Sequence, residues 1–451
     1  MSEGSLKAPM RHPLAWQDAD FYDPAKLEAE LRRVFDICHG CRRCFNLCDS
    51  FPRLFDLIDG SESGELHSVA STALQPVIDA CTLCDMCFMT KCPYVPPHEF
   101  NLDFPHLMLR ARAIEARQGR VPFADRALAA TDRNGKLAGA VAPLANWAGD
   151  VKNKLTRPVL ETAAGLDRRA ALPKFHAKTF MRAARDLPLE LDKTAPAYGR
   201  KAVLYATCFV NYNDPEVGLA TRAVLARNGV ETEIVYPRCC GMPLLEQGRI
   251  DKVAESAREV AATLVPWIEK GYDVVALVPS CALMLKFEWP LILPDDENVK
   301  RLARATRDVS EYVVEIAKTS GLAPGMKPIP GGVAVHLACH ARAQNMGPKA
   351  ADMLRLIPGT EVEAIERCSG HGGSWGFKKA NFDTALKVGR PVARQARGGH
   401  KAFVASECPL AGVHIAQGME RMTNEDGDEG AAPRLVTHPI QLMAFAYGIG
   451  S

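Results

Sequence analysis

The chain has 451 residues, of which 47% are hydrophobic and 24% charged, and its formal net charge is +2. These values exclude a disordered chain, a collagen-like repeat and the strongly basic balance typical of nucleic-acid-binding proteins, so no nucleic-acid partner is expected. The length is sufficient for about three domains. The unusual feature is 15 cysteines, an odd number in a long chain, which favours metal or cluster chemistry over a disulfide scaffold.

Targeting signals are the next feature to consider. Residues Met1 to Trp16 contain no apolar segment of the kind found in secretory signals. The sequence also has no run of about 18 apolar residues that would predict a membrane span. We therefore expect a cytoplasmic protein, with contact to the cytoplasmic membrane face as a separate question.

The first predicted element is a helix that starts at Asp23 and Pro24. Asp23 is suited to cap the helix and Pro24 to its first turn. Four apolar residues then fall on one helical face: Leu27, Leu31, Val34 and Phe35. This helix leads the chain directly into Cys38.

Eight cysteines follow in two sets within the first hundred residues. The first set is a C-x2-C-x2-C-x3-C run, and the second begins with the same spacing: Cys38, Cys41, Cys44, Cys48, and Cys81, Cys84, Cys87, Cys92. In two-cluster ferredoxins, three closely spaced cysteines bind one [4Fe–4S] cluster and the fourth binds the other. We therefore assign one cluster to Cys38, Cys41, Cys44 and Cys92, and the second to Cys81, Cys84, Cys87 and Cys48.

Two details depart from the ferredoxin pattern. Asp49 rather than proline follows Cys48, and four residues rather than three separate Cys87 from Cys92. The alternative is a pair of zinc sites with four cysteine ligands each. Structural zinc sites, however, usually pair two C-x2-C units across a longer gap.

The segment from Arg110 to Lys193 lacks cysteine and is basic, with 17 Lys and Arg against 9 Asp and Glu. Within it, apolar residues recur at near-heptad spacing, with Trp147 beside them: Leu137, Val141, Leu144, Ala148, Val151 and Leu155. One interpretation is an interfacial helix that binds an anionic membrane surface or an acidic partner. The other is an ordinary amphipathic helix packed on a core. Pro143 is expected to kink or split this helix.

From about Arg200 onward, short β-rich runs alternate with helical stretches in two similar copies. The strands predicted for the first copy are Ala202–Tyr205, Glu233–Tyr236 and Val274–Val278, and those for the second are Val333–Leu337, Val362–Ile365 and Ala402–Ala405. Helices are predicted at Pro215–Arg227, Val253–Glu269, Lys349–Leu356 and Phe382–Arg397. The pattern predicts a parallel α/β arrangement in each copy.

Cysteines recur at matching places in the two copies. The first copy contains Cys208, the adjacent pair Cys239 and Cys240, and Cys281. The second contains Cys339, Cys368 and Cys408. Because open α/β sheets bind ligands beyond the carboxyl ends of their strands, we expect each set to form a site there.

Taken together, these features resemble the heterodisulfide reductase-related iron–sulfur family. Further matching motifs are Leu172-Pro173-Lys174-Phe175, Cys239-Cys240-Gly241-Met242-Pro243-Leu244, Ala338-Cys339-His340, Trp375-Gly376-Phe377-Lys378-Lys379 and His438-Pro439-Ile440. The resemblance covers nearly the whole chain. It implies an electron-transfer subunit that has no flavin of its own and passes electrons between a flavoprotein dehydrogenase and a quinone or other acceptor.

The fold expected is α/β (α+β overall), with a helical ferredoxin-like part ahead of a pseudo-two-fold repeat. We place a two-[4Fe–4S] head at residues 1–109 and a basic helical linker at 110–199. The first cysteine-rich module is expected at 200–325 and the second at 326–451.

The modules depart from the family pattern, in which each supplies five cysteines. Val278 and Ala411 stand where a further cysteine would complete a C-x2-C unit, and Ser369 replaces the second member of the cysteine pair. Four thiolates in the first module can still bind a cubane-like cluster. Three in the second leave an open coordination place for His371, Ser369 or solvent.

Other functions stay open on sequence grounds. A disulfide- or persulfide-type reductase would use the second module as its site, with His340 or His371 as proton donor. Either histidine could instead only form hydrogen bonds with a cluster sulfur. An electron donor to a rubrerythrin-like peroxide-defence protein and a zinc-bound scaffold are further alternatives. The sequence has no G-x-G-x-x-G loop after a predicted strand, which fits a chain that does not itself bind NAD or FAD.

Overall fold

The computed structural model describes residues 9–426 and 436–449. Residues 9–109 are helical and contain α1 (Pro24–Cys41), α2 (Ser50–Asp59), α3 (Gln75–Ala80) and the first turns of α4 (Phe104–Arg117). Single turns connect them at Ala19–Tyr22, Leu66–Ser68, Ser71–Leu74 and Cys87–Lys91. We call this part the head.

Helix α1 has clear local start and stop signals. The Asp23 side chain accepts hydrogen bonds from the backbone N–H groups of Ala25 and Lys26, and Pro24 occupies the first turn. The helix ends where Arg42 adopts a left-handed conformation with φ 53° and donates its N–H to the carbonyl of Cys38. The predicted start is confirmed, and the sharp C-terminal turn keeps Cys38 and Cys41 at the helix end.

The basic segment after the head forms a chain of short helices rather than one long one. They are α5 (Phe123–Ala129), α6 (Thr131–Ala140), α7 (Ala142–Gly149), α8 (Thr156–Ala164) and α9 (Phe180–Asp186). Pro143 lies in the first turn of α7, directly after the break at Val141, where its missing N–H is tolerated. The predicted split of the amphipathic pattern is therefore observed. We call residues 110–199 the linker.

The apolar stripe of the linker lies on the surface. Its large members are half or more exposed, except Val151 at 47%: Leu137 64%, Val141 51%, Leu144 61%, Trp147 53% and Leu155 76%. The interpretation that this stripe packs on a core is wrong for these six side chains. Burial instead comes from small residues on the opposite side, where Gly135, Gly139 and Ala142 are buried.

The first cysteine-rich module contains a parallel sheet of β1 (Lys201–Tyr205), β2 (Glu231–Val235), β3 (Asp273–Ala276) and β4 (Thr306–Asp308), in the order β2-β1-β3-β4. Its helices are α10 (Cys208–Tyr212), α11 (Pro215–Arg227), α12 (Met242–Leu245), α13 (Ile250–Glu269), α14 (Pro279–Leu283), α15 (Trp289–Ile292), α16 (Glu297–Ala305) and α17 (Val309–Thr319). A turn at Met284–Glu288 joins α14 to α15. Strand β4 lies at the edge of the sheet. Its three residues are polar, so no apolar pattern predicts it.

The second module repeats this arrangement with β5 (Val333–His336), β6 (Val362–Ile365), β7 (Phe403–Ser406) and β8 (Val436–Thr437), in the order β6-β5-β7-β8. Its helices are α18 (Cys339–Arg342), α19 (Lys349–Arg355), α20 (Phe382–Gly398), α21 (Pro409–Asp426) and α22 (Pro439–Ala446), with a turn at Trp375–Phe377. Both sheets are parallel and have equivalent strand orders. The predicted α/β class and the two-copy repeat are confirmed.

Head and modules pack on one another, since a continuous set of buried apolar residues extends from Phe21 to Ala446. The segment before α1 forms hydrogen bonds with the first module. Leu14 N donates to Leu291 O at 2.8 Å, and Trp16 Nε1 donates to Ile292 O at 2.8 Å. None of the helices in the described part of the chain is long and apolar enough to span a bilayer.

Arg11 is the centre of a buried ionic network beneath this segment. Its guanidinium bonds Asp85 at 2.9 Å, Asp103 at 2.7 Å and Glu288 at 3.1 Å. Burial alone would raise the pKa of Asp103, but Arg11 and the neighbouring His106 lower it to about 2. Arg11 thus neutralises carboxylates from the head and from the first module at one point.

We predict that Arg11→Ala lowers the free energy of unfolding by about 3–5 kcal/mol, because it leaves buried carboxylates without their cation. Chemical denaturation of the anaerobic protein measures this. Arg33→Ala is the matched control, since Arg33 pairs with Glu30 in the exposed part of α1 and its loss should cost about 1 kcal/mol or less. Equal effects of the two substitutions would contradict the proposed role of Arg11.

Candidate functional site

The first head set consists of Cys38, Cys41, Cys44 and Cys92. Two of them lie in the last turn of α1, the third follows the left-handed turn at Arg42, and Cys92 ends the turn at Cys87–Lys91. Burial raises the pKa of the Cys38 thiol, and charge on Cys92, Cys44 and Cys41 raises it further. The structure thus brings together four thiols, although 54 positions separate Cys38 from Cys92 in the sequence.

The second head set consists of Cys48, Cys81, Cys84 and Cys87. Burial raises the pKa of the Cys48 thiol, and charge on Cys84 and Cys81 adds to the shift. For Cys87 the causes are again burial and then Cys84 and Cys81. Cys48 therefore lies with the second run rather than with its own sequence neighbours.

Each head set supplies four cysteine thiols. This is the donor set of a [4Fe–4S] cluster. Across residues 9–426 and 436–449, no three His, Cys, Asp or Glu side chains are arranged to hold a single metal ion. The fit to a cluster therefore rests on the composition and grouping of the thiols.

The first module gathers its four cysteines at the carboxyl edge of its sheet. Cys208 follows β1, the pair Cys239 and Cys240 follows β2, and Cys281 follows β3. Cys239 Sγ lies 3.6 Å from Cys208 Sγ, and Cys240 Sγ lies 3.3 Å from Cys281 Sγ. Consecutive strands of a parallel sheet end on the same edge, which is why residues far apart in sequence meet here.

A glycine shapes the turn between the cysteine pair and α12. Gly241 has φ +85° and donates its N–H to Cys239 Sγ at 3.5 Å. A side chain at this φ would be strained. The Cys-Cys-Gly sequence therefore holds both thiols on one bend.

The linker also contributes to this site, which the sequence did not predict. Asp132 Oδ2 accepts the backbone N–H of Cys239 at 3.0 Å, and Asp132 Oδ1 accepts the hydroxyl of Tyr236. Thr131 lies beside the sulfurs of Cys208 and Cys239. The only sequence signal is that two polar residues begin a helix in the linker.

The second module places its three cysteines at the equivalent strand ends. Cys339 follows β5, Cys368 follows β6 and Cys408 follows β7. Burial raises the pKa of the Cys339 thiol, with further increases from charge on Cys84, Cys368 and Cys408. Cys84 belongs to the second head set, so this set and the second module lie side by side.

The serine substitution falls at the equivalent of Cys240. Gly370 N donates to Cys368 Sγ at 3.4 Å, as Gly241 N does to Cys239 Sγ in the first module. Ser369 Oγ accepts the N–H of His371 at 3.5 Å. Gly370, at φ +76°, has no space for a side chain, because a Cβ there would lie 2.0 Å from the carbonyl oxygen of Ala385.

The two candidate histidines have different surroundings. His340 bridges three parts of the molecule, because its Nδ1 lies 2.8 Å from Ser280 Oγ and its Nε2 lies 3.3 Å from Leu83 O. The Nδ1 atom of His371 is buried and without a hydrogen-bond partner among the described residues. Burial, followed by the neighbouring His414, His340 and His336, lowers the pKa of His371 to about 3.

A cavity of about 1360 Å³ connects the second head set with the cysteines of both modules. Its walls contain Cys48 and Cys84 of the head, all four cysteines of the first module and all three of the second. Cys368, His371 and Ser369 face this space from the second module. Volumes of this size exceed the usual range of single ligand pockets, so the cavity has room for more than one group.

The two modules match a family model described as the cysteine-rich domain CCG, over residues 202–286 and 333–416. The matched regions contain the cysteines that the sheets bring together, Cys208 to Cys281 and Cys339 to Cys408.

Comparison with curated proteins finds relatives that cover much of the chain. The chain is 30% identical over 328 residues to a subunit of the anaerobic glycerol-3-phosphate dehydrogenase of Escherichia coli, covering 71% of this chain and 76% of the relative. It is 26% identical over 320 residues to a subunit of the fumarate reductase (CoM/CoB) of Methanothermobacter marburgensis, covering 69% and 60%. Lactate utilization protein A of Bacillus cytotoxicus is 29% identical over 232 residues, covering 49% and 92%.

Proposed function

Since the chain belongs to the CCG cysteine-rich, heterodisulfide reductase-related family that includes one subunit of anaerobic glycerol-3-phosphate dehydrogenase, we propose that it is an iron–sulfur electron-transfer subunit. It passes electrons between a separate flavoprotein dehydrogenase and a quinone or another acceptor. The observation that carries this proposal is the continuous series of thiol sets, in which Cys84 of the head lies beside Cys339 and Cys368 of the second module.

The head supplies two clusters in this proposal. Cys38, Cys41, Cys44 and Cys92 hold the first, and Cys48, Cys81, Cys84 and Cys87 hold the second. Each bound [4Fe–4S] cluster takes up and releases one electron. The protein orients the thiols of both sets, and it buries Cys87 fully and the other seven partly.

The modules extend the relay. Cys208, Cys239, Cys240 and Cys281 provide a complete set of four thiols for a third cluster. Cys339, Cys368 and Cys408 provide three, and the space beside Ser369 and His371 is open to a further ligand or to the acceptor. The head at 1–109, the linker at 110–199 and the modules at 200–325 and 326–451 are the corresponding units.

The first head set is the docking point for the redox partner in this scheme. Its surroundings are exposed and basic, with Arg42, Arg43 and Lys91 on the surface. Phe45 is 51% exposed beside them. A partner with an acidic rim would be attracted to this face, and the electron would then pass to the second set, which lies beside the second module.

The linker stripe supports a second part of the proposal, peripheral contact with an anionic membrane. Trp147 and the exposed leucines and valines form an apolar face on α6, α7 and the turn before α8. Lys136, Lys152 and Lys154 lie among them. Apolar and basic side chains in this combination bind the interface of membranes that contain anionic lipids.

One observation favours a reductase as the second candidate function. The second module leaves Cys368 exposed to the large cavity, and the buried Nδ1 of His371 beside it has no hydrogen-bond partner within residues 9–426 and 436–449. A disulfide- or persulfide-type substrate could bind there. In this case the relay ends within the chain and not at a separate acceptor.

Iron analysis of anaerobically purified protein tests the cluster assignment. We predict about twelve irons per chain, of which about eight belong to the head. Cys38→Ala and Cys87→Ala should each remove about four, and Cys239→Ala should remove the iron of the first module only. Thr162→Ala, an exposed linker position, is the control and should change nothing. A colourless protein that contains zinc and no iron would contradict the redox function.

Vesicle co-sedimentation tests membrane contact. We predict that the double variant Leu137→Glu, Leu144→Glu binds phosphatidylglycerol vesicles at least about tenfold more weakly than the parent, because it removes buried apolar area and adds negative charge. Binding of the parent should also fall with added salt.

Leu187→Glu is the matched control, since Leu187 is an exposed leucine (49%) outside the stripe. Binding that is equally strong to uncharged phosphatidylcholine vesicles, or unaffected by the double substitution, would contradict the membrane proposal and leave the stripe to a protein partner.

A further inference from the structure

Helix α6 of the linker begins directly on the cysteine set of the first module. Close packing fixes it there: a Cβ added at Gly135 would lie 2.3 Å from Cδ2 of Tyr212, the last residue of α10. Since α10 starts at Cys208, the helix that carries this thiol and the helix of the linker are in direct contact. Only glycine at position 135 allows α6 to pack this closely against α10.

Asp132 fixes the beginning of α6 to the opposite side of the same site. Its carboxylate accepts the N–H of Cys239 at 3.0 Å and the hydroxyl of Tyr236. Cys239 and Tyr236 belong to the segment after β2. The linker is therefore attached both to the residue that directly follows β2 and to the first cysteine of the pair.

These two attachments place Thr131 against the sulfurs. Thr131, Cys208 and Cys239 line the same cavity, and the Thr131 side chain lies beside the sulfurs of both cysteines. The Thr131 Oγ1 atom is buried and has no hydrogen-bond partner of normal geometry in the described part of the chain. A buried hydroxyl without a partner is costly, and the thiols of Cys208 and Cys239 lie beside it.

We propose that Thr131 donates a hydrogen bond to a cysteine sulfur of the first-module cluster and so raises the reduction potential of that cluster. The inference rests on the proposed function, because it requires a cluster on Cys208, Cys239, Cys240 and Cys281. A cluster held by these four cysteines would take up one electron from the partner flavoprotein, and part of the added negative charge would reside on the cysteine sulfurs. A hydroxyl dipole directed at a sulfur stabilises this charge, and hydrogen bonds to the sulfurs are among the factors that set cluster potentials.

Thr131 is thus a positioning and tuning residue supplied by the linker, not a ligand. The linker connects the first module to the surface stripe on α6 and α7, so the potential of this cluster depends on a segment outside the module that holds it. Within the described part of the chain, no linker residue forms a hydrogen bond with Cys339, Cys368 or Cys408 of the second module.

The test is a redox titration of the anaerobically purified full-length protein, followed by electron paramagnetic resonance. Thr131→Val keeps the shape of the side chain and removes the donor. We expect the potential of the first-module signal to fall, with the iron content and the head signals unchanged. Thr131→Ser restores the hydroxyl and should restore the potential. Thr162→Val, on an exposed turn of α8 in the same linker, should match the parent.

A first-module signal with the same potential in Thr131→Val and the parent would overturn the proposal. If Thr131→Val loses iron, Thr131→Ala is measured in its place, with the same expected and contradicting results. Equal iron in the parent and in Cys239→Ala would instead show that the first module holds no cluster. That result contradicts the third cluster of the proposed function, and is thereby distinct from a failure of Thr131 to tune it.

Discussion

The cost of ionising buried thiols is the constraint on which this structure depends. Burial raises the pKa of Cys84 to about 12 and that of Cys408 to about 11. Charge on neighbouring groups adds to both shifts, from Cys368 for Cys84 and from Glu407 and then Cys281 for Cys408. Without a cation, such groups can stay buried only as neutral thiols. A metal ion deprotonates the thiol it binds and compensates the charge. The folded chain is consequently a scaffold that holds thiols where only bound metal makes their ionised form stable.

The scaffold meets this constraint through backbone geometry. In each module, three parallel strands end at the same edge of the sheet. The cysteines lie within a few residues of these strand ends, so short loops are sufficient to bring the thiols together. The two modules and the head then pack with their cysteine edges facing one cavity. His340 ties these parts together, since its ring contacts Ser280 of the first module and Leu83 of the head. Arg11 does so from the other side, by neutralising Asp85 and Glu288 together.

The local features of the fold could be predicted because local sequence determines them. The start of α1, the break at Pro143 and six of the eight described strands all have a clear signal in capping residues, proline or apolar runs. Strand β4 was missed because Thr306, Arg307 and Asp308 are polar, and β8 because two residues form no pattern. The predicted bounds of Val362–Ile365 were exact, and those of the other five strands differed by one or two residues, as is usual for the ends of elements.

Contacts between residues that are far apart in the chain could not be predicted from the sequence. Spacing groups the cysteines into sets, yet nothing in it states that Cys84 lies beside Cys368, since that depends on how head and module pack. The contribution of Thr131 and Asp132 to the first-module site was missed for the same reason. The exposure of the linker stripe was left open, because an amphipathic pattern is identical whether its apolar face meets a core or a membrane.

The most direct test of the account is the magnetic interaction between the head and the modules in the fully reduced protein. The account places the second head set against the modules, and therefore predicts fast electron-spin relaxation for the module signal, which slows when Cys87→Ala removes the second head cluster. Removal of the first head cluster by Cys38→Ala should slow it less. A module signal whose relaxation is the same in the parent and in both variants would contradict a continuous relay through the chain.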